Sequence, residues 1–283
     1  SHQSKWKKSV FEVYKDASIP LEWTSKLKEE CKKNKIEFLT SPYSIELVDL
    51  VDPYLEAFKI GSGDITWHEI VEHIASKGKP YIIATGASNE QDVDEIICLA
   101  SKINNKICVM QCNTNYTGDN NNFSYINLNY LTNLRKKFPN LILGLSDHTH
   151  GHTTVLGAIT LGAKVIEKHF TLSNEFEGPD HKFSMTPKSW KEMIERSKEL
   201  ELSLGDGKKK IEENEIETVV LQRRSVRVNK EIKKDHVIKR DDIHVLRPCP
   251  KNAIDPRDIN KVIEKKINKD LKKDETLKWE DLD

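Results

Sequence analysis

The sequence predicts an α/β protein of the (β/α)8 barrel type with a small second domain. Three observations carry this. Short apolar runs alternate with longer amphipathic ones from about residue 21 to 205. Polar residues gather at the C-terminal end of every short run, rather than at one switch point as in a doubly wound sheet. After Gly205-Asp206-Gly207 the pattern gives way to a Lys- and Glu-rich stretch and then to an internal repeat.

The short runs are residues 37–42, 57–64, 80–87, 106–116, 141–149 and 164–172. Each is too short for an average helix, begins β-rich and ends in polar or glycine residues. They read as strands buried on both faces, as in a parallel sheet. Between them, residues 21–35, 45–53, 67–78, 89–103, 127–138, 152–162 and 188–204 carry apolar residues at helical spacing. In 89–103 these are Val93, Ile96, Ile97 and Ala100, with Ser88 expected as the N-cap. Six strands do not close an eight-stranded barrel. The chain also begins with Ser rather than Met, so the expectation is that the first two βα units lie upstream.

The expected domains are a partial barrel at 1–205, a linker at 206–223 and a small domain at 224–283. The small domain contains KEIKKDHVIKRDDI at 230–243 and KDLKKDETLKWEDL at 269–282, identical at six of fourteen positions. That spacing predicts a pseudo-symmetric unit.

Composition excludes several functions. Of 283 residues, 45 are Lys or Arg and 45 Asp or Glu, so no bulk charge draws the chain to nucleic acid or an anionic membrane. No apolar run reaches the roughly 18 residues of a membrane span. The five cysteines are odd in number and form no CxxC pair, which reads as reduced thiols in a cytoplasmic protein.

The chemistry-bearing residues sit at strand ends. His148 and His169 end consecutive strands, and two imidazoles side by side can hold a divalent metal with positions left for water and substrate. Glu167 shares a strand face with His169 and can orient a ligand or water. His150 and His152 read as surface residues. In Lys59-Ile-Gly-Ser-Gly-Asp64, Lys59 and Ser62 suit a phosphate, and Asp64 is a candidate base. Ser41, Thr85 and Ser146 add hydroxyls at equivalent strand ends. Tyr116, among amides, suits a sugar, as does Asp180 in the loop after the last strand. Cys108 and Cys112 read as core.

These residues lie in FLTSPYS, AFKIGSGD, GKPYIIATGAS, LGLSDHT, VIEKHFT, EGPDHKFSM and LGDGKK, in that order. The chain thereby resembles the sialic acid synthases, which include N-acetylneuraminate, legionaminic and pseudaminic acid synthases and the spore-coat-polysaccharide type. Its last sixty residues, with Val245-Leu-Arg247-Pro248, resemble the family's antifreeze-like (SAF) domain. The resemblance implies condensation of phosphoenolpyruvate with an N-acylated hexosamine and water, giving a nonulosonic acid and phosphate. It further implies manganese or magnesium on His148 and His169, and phosphoenolpyruvate on Ser41, Lys59, Ser62, Thr85 and Ser146. The sugar falls to Tyr43, Tyr116 and Asp180, with Arg247 delivered to the acyl group across a domain-swapped homodimer. Asp64, Lys59 and Glu167 are the expected catalytic residues.

Departures from the family pattern are also visible. The EAGxNHxG-like and KFQ-like motifs of its first two strands do not occur in these 283 residues. Asp64 replaces a glutamate, Ala84 a serine and Cys249 a glycine. The alternative reading is a truncated, non-catalytic sugar- or metal-binding relative.

Overall fold

The structure is a computed structural model that describes residues 8–283. The chain divides into two compact units between Gly205 and Asp206. Among the described residues, no helix is long and apolar enough to cross a membrane.

The first unit runs α1 (Val10–Ala17), α2 (Trp23–Lys33), α3 (Ile45–Val51), β1 (Phe58–Ile60), α4 (His68–Ser76), β2 (Tyr81–Ala84) and α5 (Glu90–Ile103). It continues with β3 (Ile107–Cys112), α6 (Tyr130–Lys137), β4 (Ile142–Asp147), α7 (Thr153–Thr160), β5 (Val165–Lys168) and α8 (Pro187–Leu204). The strands are all parallel and lie in the order β1-β2-β3-β4-β5. Every connection advances the chain by one strand in the same direction, which builds a half-barrel. It also brings all the strand C-termini to one edge.

Both faces of the sheet are covered. All six residues of β3 are buried, including Gln111, whose Nε2 donates to Ile126 O at 2.8 Å. Val93, Ile96, Ile97 and Ala100 of α5 all enter the core, at the expected helical spacing. Gly144 in β4 is fixed by packing: a Cβ there would lie 2.7 Å from the Val165 carbonyl on the next strand.

Two local expectations need correction. Residues 37–42 form no regular strand; one ladder contact remains, from Lys59 N to Thr40 O at 3.3 Å. Pro42 has no N–H to extend it. The α5 cap is Asn89 rather than Ser88. Asn89 Oδ1 accepts from Asp92 N at 3.1 Å, and Asp92 Oδ2 accepts from Asn89 N at 2.9 Å. The segment before residue 21 holds a helix, α1, started by a capping box between Ser9 and Glu12. Residues 206–223 carry α9 (Ile216–Gln222), inside the second unit.

The second unit adds β6 (Ser225–Val228), β7 (Ile243–Leu246) and α10 (Ile259–Val262), with β6 and β7 antiparallel. It has its own core, which includes Val226, Val228, Ile238, Ile254, Val262, Ile267 and Leu277. The repeat appears as a pseudo-twofold. Ile232 and Leu271, equivalent positions, exchange backbone hydrogen bonds of 2.9 and 2.8 Å. Asp235 and Asp274 both turn through positive φ, at 72° and 66°. Lys230 pairs with buried Asp242 and Lys269 with buried Asp281, each at 2.6 Å.

Candidate active site

At the C-terminal edge of the sheet lies a cavity of ≈ 470 Å³. The strands deliver its polar lining: Lys59 from β1, Ser146 from β4 and Glu167 from β5. Ser41, Tyr43, Ser62, Tyr116, His148, His169 and Asp180 come from the segments that follow strand ends or lie alongside them.

One side carries a charged cluster. Lys59 Nζ lies 3.2 Å from Glu167 Oε2, and Ser146 Oγ donates to Glu167 Oε1 at 2.8 Å. Two donors from two strands therefore fix one carboxylate across the sheet. Ser62 Oγ is 2.7 Å from Thr114 Oγ1. Thr114 fits there because residue 86 is glycine: a Cβ on Gly86 would fall 1.8 Å from Thr114 Oγ1.

The other side is aromatic. The rings of His148 and His169 are 5.2 Å apart, centroid to centroid. Tyr116 stands edge-on to both, at 4.5 and 5.7 Å, and Phe183 lies 5.1 Å from His169. His148 Nδ1 is 3.0 Å from Asn113 O. A carbonyl only accepts, so Nδ1 carries the proton and Nε2 keeps its lone pair. Burial pushes the His148 pKa down to about 4, with repulsion from His169 adding to it. Burial also lowers His169, against the pull of Asp180 and Glu167. Asp180 Oδ2 lies 3.5 Å from His169 Nδ1. Both rings are thus neutral near pH 7, the form that binds metals.

That donor set fits a divalent ion held in an open site. Among the described residues, no three His, Cys, Asp or Glu side chains cluster to hold one. Two imidazoles would leave the remaining positions to water and substrate, as catalytic sites do.

Two expected site residues of the first unit, Thr85 and Asp64, do not line the cavity. Thr85 Oγ1 donates to Met110 O at 2.9 Å, and Ala84 lines the cavity in its place. Asp64 closes a 3₁₀ turn, Ser62–Asp64, beside Gly61 and Tyr43, and burial raises its pKa. Arg247 belongs to the second unit, where its Nε donates to Gln222 O at 2.6 Å.

Other residues were missed or misread. Val13, Tyr14 and Ala17 of α1 line the cavity, as does Cys112, which is core and wall at once. His150 is half-buried rather than a surface residue, with Nε2 2.7 Å from Gly118 O. Lys168 and Asp147, direct neighbours in the β4–β5 register, pair at 2.6 Å with both side chains buried.

Comparison with known proteins follows the same division of the chain. The sequence model of the NeuB family matches residues 1–209, which hold every residue lining the cavity. The chain belongs to the NeuB family. The SAF domain model matches residues 223–283. The N,N'-diacetyllegionaminic acid synthase of Campylobacter jejuni is 33% identical over 245 residues, covering 85% of this chain and 72% of that protein. A pseudaminic acid synthase of the same species is 32% identical over 279 residues, covering 97% and 79%. The crystal structure of Bacillus subtilis spore coat polysaccharide biosynthesis protein SpsE superposes with a TM-score of 0.63 at 27% identity, covering 99% of this chain and 83% of that one. This NeuB-family chain thus has acid synthases of carbohydrate biosynthesis among its relatives.

Proposed function

We propose that the chain condenses phosphoenolpyruvate with an N-acylated hexosamine and water, giving a nonulosonic acid and phosphate. The observation that carries this is one cavity that combines a Lys59–Glu167–Ser146 cluster with two neutral imidazoles, in a NeuB-family chain.

Lys59 and the hydroxyls of Ser41 and Ser62 bind the phosphate and carboxylate of phosphoenolpyruvate, and Ser146 turns its proton to the substrate only when it releases Glu167. Tyr43, Tyr116 and Asp180 hold the sugar hydroxyls. Manganese or magnesium on His148 and His169 would polarise the sugar aldehyde as a Lewis acid. The alkene carbon of phosphoenolpyruvate forms the new C–C bond with its π electrons, which leaves the adjacent carbon oxocarbenium-like, and the aldehyde oxygen takes a proton from solvent water. Water adds at the adjacent carbon, and Glu167, fixed by Lys59 and Ser146, accepts its proton. Phosphate leaves with the bridging oxygen by C–O cleavage.

Three finer points belong to the same proposal. The five parallel strands are consecutive staves of a (β/α)8 barrel. The second unit delivers Arg247 to the acyl group in a domain-swapped homodimer. The enzyme works in the cytoplasm, where its five free thiols stay reduced.

The test is turnover in H₂¹⁸O with phosphoenolpyruvate, manganese and a panel of N-acyl hexosamines. A nine-carbon acid in the mass spectrum, with unlabelled phosphate, is the expected result. Labelled phosphate would rule out C–O cleavage, and unconsumed sugar would rule out the condensation.

A further inference from the structure

Lys168 lies between Glu167 and His169, the two β5-end residues that face the cavity. Alternation turns its side chain the other way. There it is 1% exposed, against an Asp147 side chain that is 0% exposed. The two are direct partners in the β4–β5 register.

All three protons of its ammonium are used. They go to Asp147 Oδ2 at 2.6 Å, Thr149 O at 2.7 Å and Gly151 O at 2.8 Å. Two of those acceptors are backbone carbonyls of the turn that follows β4, and this turn carries His148. Gly151 has a φ of 66°, so the turn contains a left-handed residue that a loose chain would leave easily. Asp147 holds the same turn from its other end, accepting from Thr149 N at 3.1 Å and Thr149 Oγ1 at 2.9 Å. Thr154 Oγ1, at the start of α7, donates to it at 2.6 Å.

We infer that Lys168 is a positioning residue, whose ammonium clamps the turn after β4 so that His148 faces His169. The inference rests on the reading of those histidines as a metal-binding pair. A buried ion pair that served only stability would not require the lysine to hold two carbonyls of one turn. Its net stability contribution is also small when both charges are removed together.

That last point supplies the test, on the full chain. Lys168→Met strands the Asp147 charge, so the variant is expected to lose stability. Lys168→Met combined with Asp147→Asn removes both charges and keeps an acceptor for the threonine hydroxyls, but leaves the carbonyls of Thr149 and Gly151 without the ammonium. Three readouts apply: thermal stability, amide hydrogen exchange over residues 148–152, and Mn²⁺ affinity by calorimetry.

The double variant is expected to regain thermal stability. Exchange in the turn should still run about tenfold faster than in the parent, and Mn²⁺ affinity should remain about tenfold or more weaker. A double variant that recovers slow exchange and full Mn²⁺ affinity along with stability would overturn the clamp. If the parent binds no Mn²⁺, the metal reading fails separately. Exchange then decides alone: faster exchange in the double variant supports the clamp, and unchanged exchange overturns it.

Discussion

A lysine meets a buried aspartate in both units of the chain, and the two settings differ in what the lysine does next. In the second unit, Lys230–Asp242 and Lys269–Asp281 occupy equivalent places in the repeat. Their lysine side chains remain 58% and 47% exposed. The aspartates also accept backbone N–H groups from Lys239 and Lys278, closing matched 3₁₀ turns. In the first unit Lys168 is buried with Asp147 and spends its other protons on the turn that carries His148. A buried acid–base pair is therefore no sign of function by itself. The groups held by its spare donors distinguish a turn closure from a support for a site.

The largest expected effect is at the histidines. His148→Ala or His169→Ala is expected to lower manganese-dependent kcat by on the order of 10³-fold or more, measured on variants shown by a cooperative melt to be folded. A rate within tenfold of the parent would separate these imidazoles from the chemistry.

The lysines come next. Lys168→Met is expected to cost roughly 3–5 kcal/mol, because it leaves a charge uncompensated in the interior. Lys230→Met should cost no more than about 1 kcal/mol, because that ammonium is largely in water. Urea unfolding measures both, and equal losses would break the contrast between the units.

Within the second unit, Asp242→Asn and Asp281→Asn should each cost about 1–3 kcal/mol. A difference between them larger than that range would show that the repeat is not symmetric in its energetics.

The smallest effect is a pH dependence. Burial works to raise the Asp242 pKa, but hydrogen bonds from His236, Lys230 and the Lys239 backbone outweigh it and hold the carboxyl well below the usual range. The folded value thus lies below the unfolded one, near 3.9. The contribution is present above that pH and is lost as pH falls toward the folded value. The stability gap between the parent and Asp242→Asn should shrink from pH 7 to pH 3, and an unchanged gap would contradict the assignment.

Much of the site was legible because the strand order is sequential. In such a sheet consecutive strand ends are neighbours, so His148, His169 and Glu167 could be brought together from the alternation; Lys59, on β1, meets Glu167 of β5 from across the sheet, which the alternation does not give. Thr85 was not legible, because side-chain direction reverses at each residue and strand ends are uncertain by one or two. Its hydroxyl points into the backbone of β3 instead. The helix α1 is too short for periodicity to declare it, although Ser9 and Glu12 mark its start. Lys168 escaped because attention to the cavity face of β5 passes over the residue behind it. Arg247 lies in a separate unit, and no pattern in the sequence fixes what a residue there approaches.

The most direct test of the central claim is manganese-dependent phosphate release from phosphoenolpyruvate, measured with and without an N-acyl hexosamine on a sample shown to melt cooperatively. The account predicts release that requires both the sugar and the metal. Release that ignores the sugar, or none from folded protein with any hexosamine in the panel, would contradict it.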